Sequence, residues 1–290
     1  MAVAARTRPL HPVRSRGWWR YGVALVYVAF VLAPFVYMGL VALQSDAAAG
    51  QGDLLLAAPH WDNFARIWQT VDLGLYLRNS LIVATSTGGI SSLLALGAAY
   101  VVARFRFPLR NLFRVSLLAT QTVPGILLLL PLFVIYIIVQ HSIQVHIVGT
   151  YFGLVLTYMT FALPFAIWLL SVYVKSLPVE LEEQATVDGA NRFQVIRHVT
   201  LPLAVPGIVV TFVFSFLLAW NDILFASVLT SPETKTLGPG LQYYVSESFS
   251  IPYWNLLMAA SLVVAVPAMI LFLIVQRYIV AGLAAGSIKG

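Results

Sequence analysis

The stretch Lys175–Leu203 reads KSLPVELEEQATVDGANRFQVIRHVTLPL and lies between two long apolar runs. Its local grammar is two short helices joined by a turn. Pro178 is pre-set for a first helical position, and Gly189 accepts the left-handed dihedrals that close a helix. Asp188 and Asn191 are the expected caps around the break. Glu180, Glu182 and Glu183 fall in the first turns of helix one, where the dipole favours carboxylates by about 0.3–1 kcal/mol each. In helix two, Phe193, Ile196 and Val199 recur at i, i+3 and i+6, a narrow apolar stripe beside Arg192, Arg197 and His198. Leu201-Pro202 is expected to end that helix, because the residue before a proline is pushed out of helical space. Two readings fit an apolar stripe in so polar an insert: a surface covered by another protein, or a loop lying on lipid headgroups.

The flanks decide the class of protein. Of 290 residues, 60% are apolar and 10% charged, with a mean hydropathy of +0.88. Such a balance belongs to integral membrane proteins. A hydrocarbon core of about 30 Å needs about 20 apolar residues per helix, and six spans can be drawn: 21–43, 79–102, 115–139, 151–174, 204–230 and 254–276. The domain organisation is then a basic tail at 1–20, a six-span domain at 21–276 that contains the insert 175–203, and a tail at 277–290. With an even number of spans both termini share a side. That side collects Arg6, Arg8, Arg14, Arg16, Arg20, Arg104, Arg106, Arg110, Arg114, Lys175, Arg192, Arg197, Arg277 and Lys289, against Arg66, Arg78 and Lys235 on the other. Fourteen to three makes it cytoplasmic. The formal charge of +6 is therefore a matter of topology, and no basic and aromatic interleaving points to a nucleic-acid partner.

Cysteine is absent, which removes disulfides, thiolate metal sites and a Cys nucleophile. The arginines, apolar run and Ala47-Ala48-Ala49 imitate a secretory signal, but 23 apolar residues exceed a signal's core, so a retained first span is expected. In the loop between spans one and two, Phe64, Ile67, Trp68 and Val71 recur at helical spacing beside Trp61, an amphipathic helix expected in the interface. Span two carries Gly88 and Ser92 among hydroxyls; close helix packing is the first reading and a polar path the second. Gln121, Pro124 and Pro131 in span three, and Tyr158 and Pro164 in span four, read as kinks with polar groups near them. Asn221-Asp222 interrupts span five, and a carboxylate there should face the bundle, water or the outer interface, with a structural or gating role. His141 and His146 are five apart, not on one helix face, and read as interfacial residues instead of a metal site.

No G-x-x-x-x-G-K-[ST] loop occurs, so ATP binding by that route is not on this chain. Nor does any local set of nucleophile, base and oxyanion donors appear, and the chain reads as no enzyme.

Glu183-Gln184-Ala185, Asp188-Gly189-Ala190, Phe193 and Leu201-Pro202 resemble the cytoplasmic EAA loop of permease subunits in bacterial ABC importers. Pro164-Phe165, Trp168-Leu169, Ala219-Trp220-Asn221-Asp222, and the ending Gln276-Arg277 with Gly282, Gly286, Lys289 and Gly290 are similar to its carbohydrate branch, the group of the second maltose permease subunit. The likeness runs from about Leu77 onward. Gln184 departs from the usual alanine, and Val199 from the usual isoleucine. The resemblance implies an all-α, type I importer permease fold in a bacterial inner membrane. It also implies a homologous second permease, two ATPase subunits holding ATP and Mg, and an extracytoplasmic solute-binding protein delivering a sugar or sugar-like solute. Glu182, Glu183, Ala185, Asp188, Gly189, Ala190, Phe193, Ile196, Leu201 and Pro202 would form the ATPase-coupling element. Gly286 and Lys289 would add a second contact, and Asn221, Asp222, Gln121 and Tyr158 would line or gate the path. An ion-coupled secondary transporter is the alternative from another class, but it calls for several intramembrane ionisable groups and an internal repeat.

Overall fold

The computed structural model describes residues 18–51, 58–246 and 253–287, with the backbone alone at 246 and 279–287. All regular structure among them is helical. The first span, α1 (Trp18–Ala42), is followed by two short helices, α2 (Asp46–Gln51) and α3 (Asn63–Thr70), and then by the second span, α4 (Leu73–Arg104). Next come α5 (Arg110–Ala119), α6 (Gly125–Ile143) and α7 (Tyr151–Ser176). The insert forms α8 (Glu180–Val187) and α9 (Arg192–Val195), which leads into α10 (Leu201–Trp220). α11 (Leu224–Leu229), α12 (Leu237–Ser246) and α13 (Trp254–Ser287) are the last of the described helices. Among the described residues six helices are long and apolar enough to cross a membrane, in the places that hydropathy assigns them.

Several spans differ from expectation in extent: the second helix begins at Leu73 instead of Asn79, and the sixth continues past Gln276 to Ser287. The third is helical without interruption only from Gly125, because Thr120–Thr122 forms a 3-10 turn and Val123, ahead of Pro124, is extended at ψ 119°. Steric pressure from the proline ring on the preceding residue accounts for the break. Span five is shifted toward the insert: its helix runs from Arg192 and stops at Trp220, not Thr230.

At the centre, α4 packs against α7 and α10, and α13 lies on α10 and carries α1 at its edge. Glycines set the closest approaches. A Cβ on Gly88 would stand 2.9 Å from the Phe212 ring, and one on Gly207 2.7 Å from the Tyr173 ring. The Gly88 region of span two thus serves helix packing.

Two apolar cores are stacked along the bundle. The larger joins the first halves of α4 and α7 to the end of α10 and to α11–α13, through Val83, Tyr158, Phe216, Trp220 and Leu256. The smaller, at the insert end, is built from Ala95, Ala99, Tyr100, Ala166, Leu170, Val174 and Ala204. Between them α4 and α10 present Thr87, Gly88, Ser91, Thr211 and Ser215, a waist of small buried residues.

At the end of the bundle away from the insert, α3 is hydrogen-bonded to the bundle. Asn63 donates through Nδ2 to the carbonyls of Ala42 and Gln44, each at 2.9 Å. Arg66 forks onto Asp46 at 3.1 and 3.0 Å, and Asn255 donates to Asp46 at 2.7 Å. Ile67 is fully buried, and Tyr244 Oη donates to its carbonyl, while Trp61 and Trp68 stay exposed.

Candidate functional site

The insert folds as a hairpin of helices because both sides of its turn are capped by its own sequence. Gly189 closes α8 at φ +90°. Its N–H donates to Thr186 O at 3.1 Å and the N–H of Ala190 to Ala185 O at 2.9 Å, the paired bonds of a Schellman turn. Asp188 holds the C-cap position. Asn191 then caps α9 by a reciprocal box: its Oδ1 accepts from Gln194 N at 3.0 Å, and Gln194 Oε1 accepts from Asn191 N at 2.8 Å. The start of α8 differs slightly from expectation, since Val179 is its N-cap and Pro178 precedes it.

Leu201-Pro202 does not end the second helix. α9 continues through a π-helical stretch, Ile196–Thr200, directly into α10. The N–H of Leu201 reaches back five residues to Ile196 O. Widening by one residue accommodates a proline ring and its missing donor without breaking the rod, as π-bulges do. The hairpin's second arm is therefore one continuous helix with the fifth span.

The expected stripe does not share one face. Of its three residues, Phe193 is 69% exposed and Val199 is half-buried beside the notch between the arms; Val187, on the other arm, is 88% exposed. Ile196 and Leu201 are half-buried and pack against the smaller core. Glu183, Asp188, Gly189 and Pro202 are exposed, and Ala185 and Ala190 are half-buried. A notch of about 300 Å³ separates the arms, lined by Ala185, Asp188, Gly189, Gln194, His198 and Val199. Glu182 faces the bundle. It is buried at 7% exposure and ion-paired to Arg104 at 2.9 Å, so it is no outward contact. No local signal marks this pair, since its members are 78 residues apart.

The four residues expected at the path divide. Tyr158 is buried in the larger core, and its Oη donates to Asp222 Oδ2 at 2.8 Å. That same oxygen accepts from Ala226 N at 3.0 Å, so Asp222 faces the bundle and fixes the break between α10 and α11. Gln121 is exposed at the 3-10 break and donates to Phe161 O at 3.2 Å, three residues along α7 from Tyr158. Asn221 is brought elsewhere, to a cleft of about 630 Å³ with Trp220, Phe35 and the apolar face of α13. Gly286 lies in the last turns of α13, and Lys289 lies outside the described residues.

The described residues thus hold six apolar spans, with an exposed, self-capped hairpin between the fourth and fifth. The chain belongs to the binding-protein-dependent transport system inner membrane component family, which matches residues 91–284. It is 35% identical over 283 residues to the inner membrane ABC transporter permease protein YcjP of Escherichia coli, covering 95% of this chain and 97% of that one. It is 34% identical to the trehalose transport system permease protein SugB of Mycobacterium tuberculosis over 279 residues, 96% of this chain and 99% of its relative. Among solved structures, a bacterial ABC transporter involved in the import of alginate shares the fold, with a TM-score of 0.70 at 22% identity, over 92% of this chain and 99% of that one.

Proposed function

We propose that this chain forms half of the translocation path of an ATP-driven importer for a sugar or sugar-like solute, and that its hairpin is gripped by a separate ATPase. The observation that carries the reading is the exposure of Phe193 and Val187 on a hairpin whose turn and cap are fixed by its own residues. Large apolar side chains on a preformed, polar-rimmed element are what a protein partner covers. The solute class is supported by the trehalose permease at 34% identity.

In this reading the hairpin side is cytoplasmic, with both termini there, as the distribution of arginine and lysine indicates. ATP and Mg are held by the ATPase subunits, a homologous permease supplies the other half of the path, and an external binding protein delivers solute. Because α9 runs into α10 with no loop between them, a push on the hairpin passes directly into the fifth span. Asp222 and Tyr158 hold the far end of that span, and Gln121 stands at the break in the third.

Replacing Phe193 by Ala, or Gly189 by Asp, should leave the chain in the membrane while lowering solute-stimulated ATP hydrolysis of the assembled complex by an order of magnitude or more, in the range typical of coupling between sites. Hydrolysis stimulated to the unsubstituted level in both variants would contradict the docking role. The secondary-transport alternative gains no support from the family match.

A further inference from the structure

An outward docking surface needs accessible side chains, yet Glu182, at the heart of the hairpin, points the other way. Its Oε1 accepts from Arg104 Nε at 3.0 Å and from Thr200 Oγ1 at 3.1 Å, and its Oε2 from Tyr100 Oη at 3.2 Å. Arg104 Nη2 also lies 2.9 Å from Oε1 and donates to Leu177 O at 3.2 Å. Both charged side chains are 9% exposed.

The partners come from four places in the chain. Tyr100 and Arg104 end the second span, Leu177 joins α7 to α8, Glu182 is in α8, and Thr200 closes the π-helical stretch. The helix termini reinforce the pair, because a cation at the C-terminus of α4 and a carboxylate in the first turn of α8 each face the favourable end of a dipole.

Connectivity gives the pair its meaning. The covalent chain joins the hairpin to α7 and α10 alone. α4, which packs on both of them, precedes the hairpin by more than seventy residues and is attached to it through this carboxylate, with Arg192 over the Phe105 ring just past its end. Stability alone does not require charges here, since well-packed apolar groups serve a buried site as well or better. What a buried, hydrogen-bonded ion pair adds is one fixed geometry, because pulling it apart leaves a largely buried charge without its partner. An exposed pair would be screened and would slip.

We propose that the Glu182–Arg104 pair pins the second span to the hairpin, so that Glu182 and Arg104 are positioning residues that carry the ATPase's motion into α4. The proposal rests on the hairpin being the ATPase contact.

The chain has no cysteine, so a labelled pair can be placed at will. Arg106 and Leu181 are exposed on either side of the pin and suit Arg106→Cys and Leu181→Cys. Spin labels there, in the complex with the ATPase, companion permease and binding protein, report the distance between α4 and α8 with and without a non-hydrolysable ATP analogue. With the pin intact the distance distribution should be narrow and the same in both states. Glu182→Gln should broaden it or make it depend on nucleotide, and solute carried per ATP hydrolysed should fall about tenfold. Arg104→Lys, which keeps the charge, should retain most of the coupling that Arg104→Gln loses. An unchanged distribution and ratio in Glu182→Gln would overturn the pin, as would equal loss in Arg104→Lys and Arg104→Gln. Failure of the ATPase to co-purify with the unsubstituted chain is a separate result. It would overturn the docking reading and, with it, any transport role for the pin.

Discussion

Asn191 shows what a single side chain does for the hairpin. Its capping box satisfies two backbone donors at the point where the chain reverses. Asn191→Ala should therefore cost the hairpin about 1 kcal/mol, seen as faster amide hydrogen exchange across 191–196 with the spans unaffected. At the opposite end of the bundle Asp46 is held below the ordinary carboxylate range, chiefly by its hydrogen bonds from Arg66, against the opposing effect of partial burial. A carboxyl with a lowered folded-state pKa binds fewer protons folded than unfolded. Its stabilisation is then complete above the ordinary aspartate value and is lost as pH falls through and below it. Thermal unfolding of the detergent-solubilised chain should show this loss on acidification, and Asp46→Asn should flatten that part of the profile.

At the scale of elements, close packing of spans depends on positions where no side chain fits. Gly207→Val would force α10 away from Tyr173 and Leu170 of α7 and should cost about 1–3 kcal/mol, read as a lower unfolding midpoint in detergent. The six spans were legible in the sequence because each is a long apolar run, and the turn of the hairpin because Gly189 and Asn191 carry local signals that tertiary context did not oppose. Leu201-Pro202 misled for a physical reason: a proline near a helix start is tolerated when the preceding turn widens, and the widening leaves no mark in sequence. Ile196 and Glu182 were assigned outward because a helix face read alone cannot tell a partner's surface from this chain's own core. The Arg104 that claims Glu182, and the Ala-rich core that claims Ile196, come from remote segments. Tyr158 and Asp222 were singled out separately, and only folding brings their oxygens together.

At the scale of the whole molecule, the outer helices leave their apolar surface uncovered. In the most apolar stretch of α1 no residue is buried, and in that of α6 few are, whereas α4 and α7 are much more enclosed. Lipid and, in the proposed complex, a homologous permease would cover that surface. The hairpin is different in kind, since its exposed Phe193 and Val187 stand beyond the smaller core, at the end of the bundle. The central claim is that this hairpin is where an ATPase holds the permease. It is tested most directly by placing a single cysteine at Phe193 in the cysteine-free chain, with Trp61→Cys at the opposite end as control, and reacting the assembled complex with a short bifunctional cross-linker. The account predicts a permease–ATPase adduct from position 193 and none from position 61. Absence of an adduct at 193, with that thiol labelled as fast by a soluble maleimide in the complex as in the isolated chain, would contradict it.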